Sequence, residues 1–180
     1  MPTVVTLAVL LQALLAAAMF VISTTVWFTG RRAQQSADAE VARQGFAPEV
    51  LTRHGIRFKE EPWEFALALT IGAILTTLAV LNVTGTARPA SWIVEPLILV
   101  VVGFITLSQV LAVRYTEAVL RRSPDPQARD INARKVIEAA RRGFPSVLRI
   151  LVPVRFVLAT AGSIAVLILL SVPAATPWFH

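Results

Sequence analysis

The hydrophobic positions of this chain do not alternate; they run together. Four stretches each hold about 20 mostly apolar residues, enough to cross a bilayer core as a helix. They cover residues 3–28, 63–83, 92–113 and 147–172. Inside lipid a backbone must satisfy its own hydrogen bonds, so each stretch predicts a transmembrane helix. Between the stretches the pattern turns polar. Residues 29–62 and 114–146 form two charged loops of about 35 residues each, too long for simple connections. The expected fold is an all-α integral membrane protein, a single domain over residues 1–180 in which two helical hairpins supply four transmembrane helices.

Both loops carry helix signals of their own. In the first, "RRAQQSADAEVARQGF" is rich in helix formers and Gly45 reads as its C-terminal cap. Pro48 then predicts a short helix, "PEVLTRHG", stopped at Gly55, and Pro62 the start of the second span. In the second loop, the third span is expected to continue through "RYTEAVLRR" until "SPDP" breaks it. Asp130 is the expected cap of "INARKVIEAARR", whose apolar side holds Ile131, Val136, Ile137 and Ala140. Gly143 is expected to end that helix and Pro145 to open the last span. The basic amphipathic helix either lies on anionic headgroups or a partner, or packs its apolar side on its own bundle.

Charge then orients the chain. The first loop holds Arg31, Arg32, Arg43, Arg53, Arg57 and Lys59, and nine more basic residues lie between Arg114 and Arg149. The connection between spans two and three holds only Arg88, and the two tails hold no basic side chain. By the positive-inside rule both long loops are cytoplasmic and both termini extracytoplasmic. No basic residue precedes the first span and Arg31-Arg32 follow it, the reverse of a cleavable signal. Trp27 and Trp63 fall at the inner ends of spans, Trp92 and Trp178 at the outer ends, as an aromatic belt requires. The expected location is a plasma (inner) membrane. The preference for arginine, with only Lys59 and Lys135 as lysines, fits a GC-rich bacterial genome.

Composition removes several chemistries. With no cysteine, disulfides, thiolate catalysis and cysteine-held metals are excluded. Two histidines, His54 and His180, are too few for a histidine-rich metal site, and no metal or other cofactor is expected. The net charge of +6 and pI near 11.2 would suggest nucleic acid in a soluble protein. Here, with 56% hydrophobic residues and a mean hydropathy of +0.67, the membrane rule accounts for them and no nucleic-acid partner is expected. No Walker loop, nucleophile elbow, H-E-x-x-H or dinucleotide fingerprint occurs, so no catalytic residue is assigned.

Ionisable groups within a span are functional candidates, because each costs about 2.5–3.5 kcal/mol at a helix centre. Glu95 lies near the outer end of span three and Arg155 in the inner part of span four. Their backbones should stand about 15 Å apart along the normal, too far for a direct ion pair. Arg155 is expected to snorkel to lipid phosphate, and Glu95 to be a shallow, water-reachable carboxylate. Arg141, Arg142, Arg149 and Arg155 are the candidate contacts to lipid phosphate or to a partner. Gln109 joins Glu95 as a candidate intramembrane polar site, through an interhelical hydrogen bond. The milder polar groups, Gln12 and the span threonines among them, read as bundle packing.

"ARQGFAPEVLTR" (42–53) resembles "ARRGFPSVLR" (140–149), which raises an internal duplication of two hairpins against chance similarity of two capped, arginine-rich segments. The expected function is a non-enzymatic accessory subunit that docks on and stabilises or regulates a larger membrane complex. Its expected partners are anionic lipid headgroups at the cytoplasmic face and other membrane subunits or further copies of itself. The alternatives are a four-helix transporter acting as a homodimer and a lipid-modifying membrane enzyme.

Overall fold

A computed structural model describes residues 1–179, apart from the side chains of Ser108, Val110 and Gln127, and is helical throughout with no strand among the described residues. His180 lies outside the described residues. Four helices are long and apolar enough to cross a membrane, the composition of a multi-pass membrane protein.

The chain divides into two compact units. The spanning unit comprises Met1–Ser23, Ala66–Leu107 and Ile150–His180; the loop unit comprises Thr24–Phe65 and Ser108–Arg149. Helix α1 (Thr3–Arg43) supplies residues to both. It does not stop at residue 28, because the polar segment that follows is itself made of helix formers and nothing breaks the ladder before Gly45. There the backbone turns left-handed, with φ +86°, as a C-terminal glycine cap requires.

The spanning unit also holds α3 (Pro62–Val83, from Ala66 onward), α4 (Arg88–Val110, up to Leu107), α8 (Leu148–Val157, from Ile150 onward), α9 (Ser163–Ser171) and a closing 3₁₀ turn (Pro173–Trp178). Helix α4 starts four residues earlier than expected, at Arg88-Pro89, where a proline fits the first turn. Between α8 and α9 the ladder widens to a π turn, Leu158–Gly162, closed by the Ser163 N–H on the Leu158 carbonyl. One core cluster joins Leu15, Met19, Ile71, Leu75, Val102 and Ala159. Gly72 permits close approach: a Cβ there would stand 3.0 Å from the Phe20 ring. The span threonines 70, 76, 77, 106 and 160 each donate to a carbonyl four residues back in their own helix, which lowers the cost of their hydroxyls.

The loop unit has its own core, in which Ala37 and Val41 of α1 meet Val50 and Leu51 of α2 (Glu49–Arg53). Leu120 of α5 (Ala112–Arg121), Ala128 of α6 (Pro126–Arg129) and Ala133, Val136 and Ala140 of α7 (Ala133–Gly143) close it. Gly55 ends the second short helix with φ +70°, as expected. The third span does not run straight into α5: a turn at Leu111 separates α4 from α5. The cap of α7 is Asn132 rather than Asp130, its side chain accepting from the Lys135 N–H. Asn is as good a cap as Asp, and the two-residue difference places Ile131 before the helix. The last span opens at Leu148, three residues after Pro145, which instead starts a turn closed by Leu148 N–H on the Pro145 carbonyl at 3.1 Å.

Candidate functional site

Five polar side chains from α1, α3, α4 and α9 are buried together inside the spanning unit. Glu95 and Gln12 are each 1% exposed. Gln12 Nε2 donates to Glu95 Oε1 at 2.9 Å. The Gln12 carbonyl oxygen accepts from Asn82 Nδ2 at 3.0 Å, and the same amide donates to Ser91 Oγ at 2.9 Å. Ser163 faces the Glu95 carboxyl, although its hydroxyl makes no hydrogen bond of normal geometry. Asn82 Oδ1 is likewise without a hydrogen-bond partner among the described residues. A buried amide is costly unless paired, and here the amide of Gln12 serves two helices at once, as acceptor for α3 and donor for α4.

The ends of this unit are tied down. The Asn82 carbonyl accepts from Trp178 Nε1 at 3.0 Å. Arg88 Nε donates to the Leu170 carbonyl at 2.9 Å, and its guanidinium lies over the Phe179 ring at 5.6 Å. A cation on a carbonyl at a helix C-terminus satisfies an otherwise orphaned acceptor.

Glu95 is 1% exposed and therefore not the water-reachable carboxylate expected from its place in the sequence; Gln12 of α1 and Ser163 of α9 stand against it. Arg155 is buried, 4% exposed. Arg141, Arg142 and Arg149 are exposed on the loop unit, so the four arginine candidates separate into three surface groups and one interior group. Gln109 is exposed and stands outside the buried polar set. Sequence reasoning missed Asn82 and Ser91 and gave Gln12 no special role. The available signal was an uncharged amide in each of two apolar stretches, since such groups rarely go unpaired.

In the loop unit, the apolar side of α7 is turned inward: Ile131, Val136, Ile137 and Ala140 are all buried. That side packs within the loop unit's own core. Gly143 does not provide a left-handed turn. It lets α7 touch α1, because a Cβ there would stand 2.4 Å from the Ala33 Cα. Gly45 and Gly143, equivalent in the proposed duplication, hence do different work. A second histidine-centred contact joins the loops: His54 Nδ1 donates to the Val50 carbonyl at 2.8 Å, and Ser123 Oγ meets His54 Nε2 at 2.6 Å. Ser123 is buried and its Oγ also accepts from the Asp125 N–H at 3.0 Å. The contact fastens the "SPDP" turn to the C-terminal end of α2.

Charge is divided as sharply as polarity. Fifteen of the seventeen Lys and Arg side chains and ten of the eleven Asp and Glu side chains belong to the loop unit; the exceptions are Arg88, Arg155 and Glu95. All fifteen basic side chains are exposed. The chain matches no family model, no curated protein and no solved structure.

Proposed function

We propose that this protein is a non-enzymatic membrane subunit that docks on a larger membrane complex through its loop unit. The observation that carries the reading is the loop unit itself: an ordered helical body with its own apolar core and an entirely exposed set of basic side chains. A mere connector needs no such core, whereas a docking platform needs a fixed shape. Its positive surface fits an acidic partner face and steers encounter. The charge asymmetry supports a cytoplasmic loop unit, with both termini outside, in a plasma membrane. The buried amide–carboxyl set then acts as internal glue among α1, α3 and α4, holding the spans in one register.

The test is isolation of the full chain from native membranes in mild detergent, with subunit stoichiometry read by mass spectrometry. A stoichiometric heteromeric complex is expected, and its yield should fall when Arg141 and Arg142 are both changed to Gln. A lone homodimer unaffected by those changes would overturn the reading. The buried Glu95 favours one competitor, a small transporter working as a homodimer. That reading requires Glu95→Gln to abolish coupled flux in liposomes; the subunit reading expects no such flux from the wild type.

A further inference from the structure

The loop unit contains two adjoining clefts whose linings include neither Arg141, nor Arg142, nor any residue of the buried polar set. The smaller, of about 330 Å³, is lined by Arg31, Gln34, Gln35, Thr52, Arg57 and Lys59. The larger, of about 740 Å³, shares Arg31, Thr52, Arg57 and Lys59 and adds Trp27, Phe28, Glu60, Glu61 and Pro62. Both volumes fall in the range of small-ligand sites. We propose that these clefts bind one anionic phospholipid, its phosphodiester held by Arg31, Arg57 and Lys59 and its glycerol and upper acyl chain laid over Trp27 and Phe28.

Backbone geometry brings the three cations together. Gly30, one residue before Arg31, lets the 57–60 segment lie directly on α1: a Cβ there would meet the Lys59 Cα at 2.9 Å and the Phe58 carbonyl at 3.1 Å. Gln34 fastens the same segment, accepting the Phe58 N–H at 2.9 Å while its own amide donates to Asp38. Like charges gathered by fixed backbone contacts repel one another until an anion joins them. Arg57 pairs with Glu61, an exposed contact of little energy. Arg31 and Lys59 have no carboxylate within ion-pair distance among the described residues.

The apolar wall distinguishes a lipid from a free phosphate. Trp27 and Phe28 are the last large apolar side chains of α1 before Arg31, and Pro62 opens α3. Phe28 is 77% exposed, and Trp27 stacks on Phe65 with ring centroids 4.7 Å apart. Aromatic side chains at the end of an apolar span, with cations just beyond, match the boundary between acyl chain and phosphate. The carboxylates of Glu60 and Glu61 line only the larger cleft, so the phosphodiester belongs in the smaller one, where Arg31, Arg57 and Lys59 meet no lining carboxylate. The inference does not depend on the docking function, and its test needs no partner.

Native mass spectrometry of the purified full chain in neutral detergent, with added phosphatidylglycerol, phosphatidylcholine or inorganic phosphate, tests it. One phosphatidylglycerol should be retained at least tenfold better than phosphatidylcholine, and millimolar inorganic phosphate should not displace it. Arg31→Gln with Lys59→Gln should abolish retention, while Arg31→Lys should keep it and Arg141→Gln with Arg142→Gln should leave it unchanged. Both positions of the first pair are exposed, and unchanged helicity by circular dichroism checks that the variant folds. Equal loss in the two paired variants would show diffuse attraction only. Equal retention of the two lipids, or displacement by inorganic phosphate, would also overturn the proposal.

Discussion

The two units of this chain differ in what they bury beside their apolar cores. In the spanning unit the interior holds Gln12, Asn82, Ser91, Glu95, Arg155 and Ser163, while the outward faces carry Leu14, Ile93, Val100 and Phe104, the last 72% exposed. In the loop unit the core is aliphatic, Gln34, Glu40, Thr116 and Ser123 are buried beside it, and every basic side chain is exposed. The difference matches the demands of two surroundings, lipid for the four apolar helices and water for the charged loop unit. In lipid, apolar contact between helices gains little over apolar contact with acyl chains, so hydrogen bonds and close packing decide association. In water, apolar burial at about 25 cal/mol per Å² decides it. A single helix, α1, supplies Gln12 to one kind of core and Ala37 and Val41 to the other.

That contrast can be broken from either side. The largest expected effect is Gly143→Leu, which forces a side chain into the α1 backbone beside Ala33 and should cost the loop unit about 3 kcal/mol. Limited proteolysis should then cut between residues 112 and 143 while helicity of the spans survives; resistance equal to wild type would refute the contact. Next, Gln12→Leu should strand the Glu95 carboxyl and one of the two Asn82 N–H groups, the other staying on Ser91, at a cost of about 1–3 kcal/mol. Because those two groups are left unpaired, Gln12→Leu combined with Glu95→Leu should be less destabilised than the two single changes summed, as read by thermal unfolding in detergent. Strict additivity would mean the pair is not coupled. Asn132→Ala removes the α7 cap and should cost about 1 kcal/mol, confined to the loop unit in hydrogen exchange. Smallest is Arg141→Gln with Arg142→Gln, where exposed side chains should shift stability by less than about 0.5 kcal/mol while partner capture falls.

The sequence made the spans legible because run length and backbone satisfaction leave helices as the answer. Gly45 and Gly55 were legible because a left-handed cap has few alternatives, and the inward side of α7 because its spacing is helical. The buried polar set was not. Gln12 and Asn82 stand 70 residues apart, and Gln12 and Glu95 83 apart, so their meeting depends on helix register that no local pattern records. Glu95 looked shallow because depth along one helix says nothing of which neighbours cover it. The burial of Arg155 was not legible for the same reason. Gly143 was placed correctly at a helix end, but its reason, contact with Ala33, lies about 110 residues away in the chain. Asp130 and Asn132 are both capping residues, and only the packing of Ile131 chose between them.

The central claim, that the loop unit is the docking face, is tested most directly by photocrosslinking in native membranes. A photoreactive residue replaces exposed Lys135 on the loop unit or exposed Phe104 on the spans, one at a time. The account predicts that position 135 captures a heterologous membrane protein in a single specific adduct, and that the adduct disappears when Arg141 and Arg142 are changed to Gln. Adducts from position 135 only to lipid or to a second copy of this chain would contradict it.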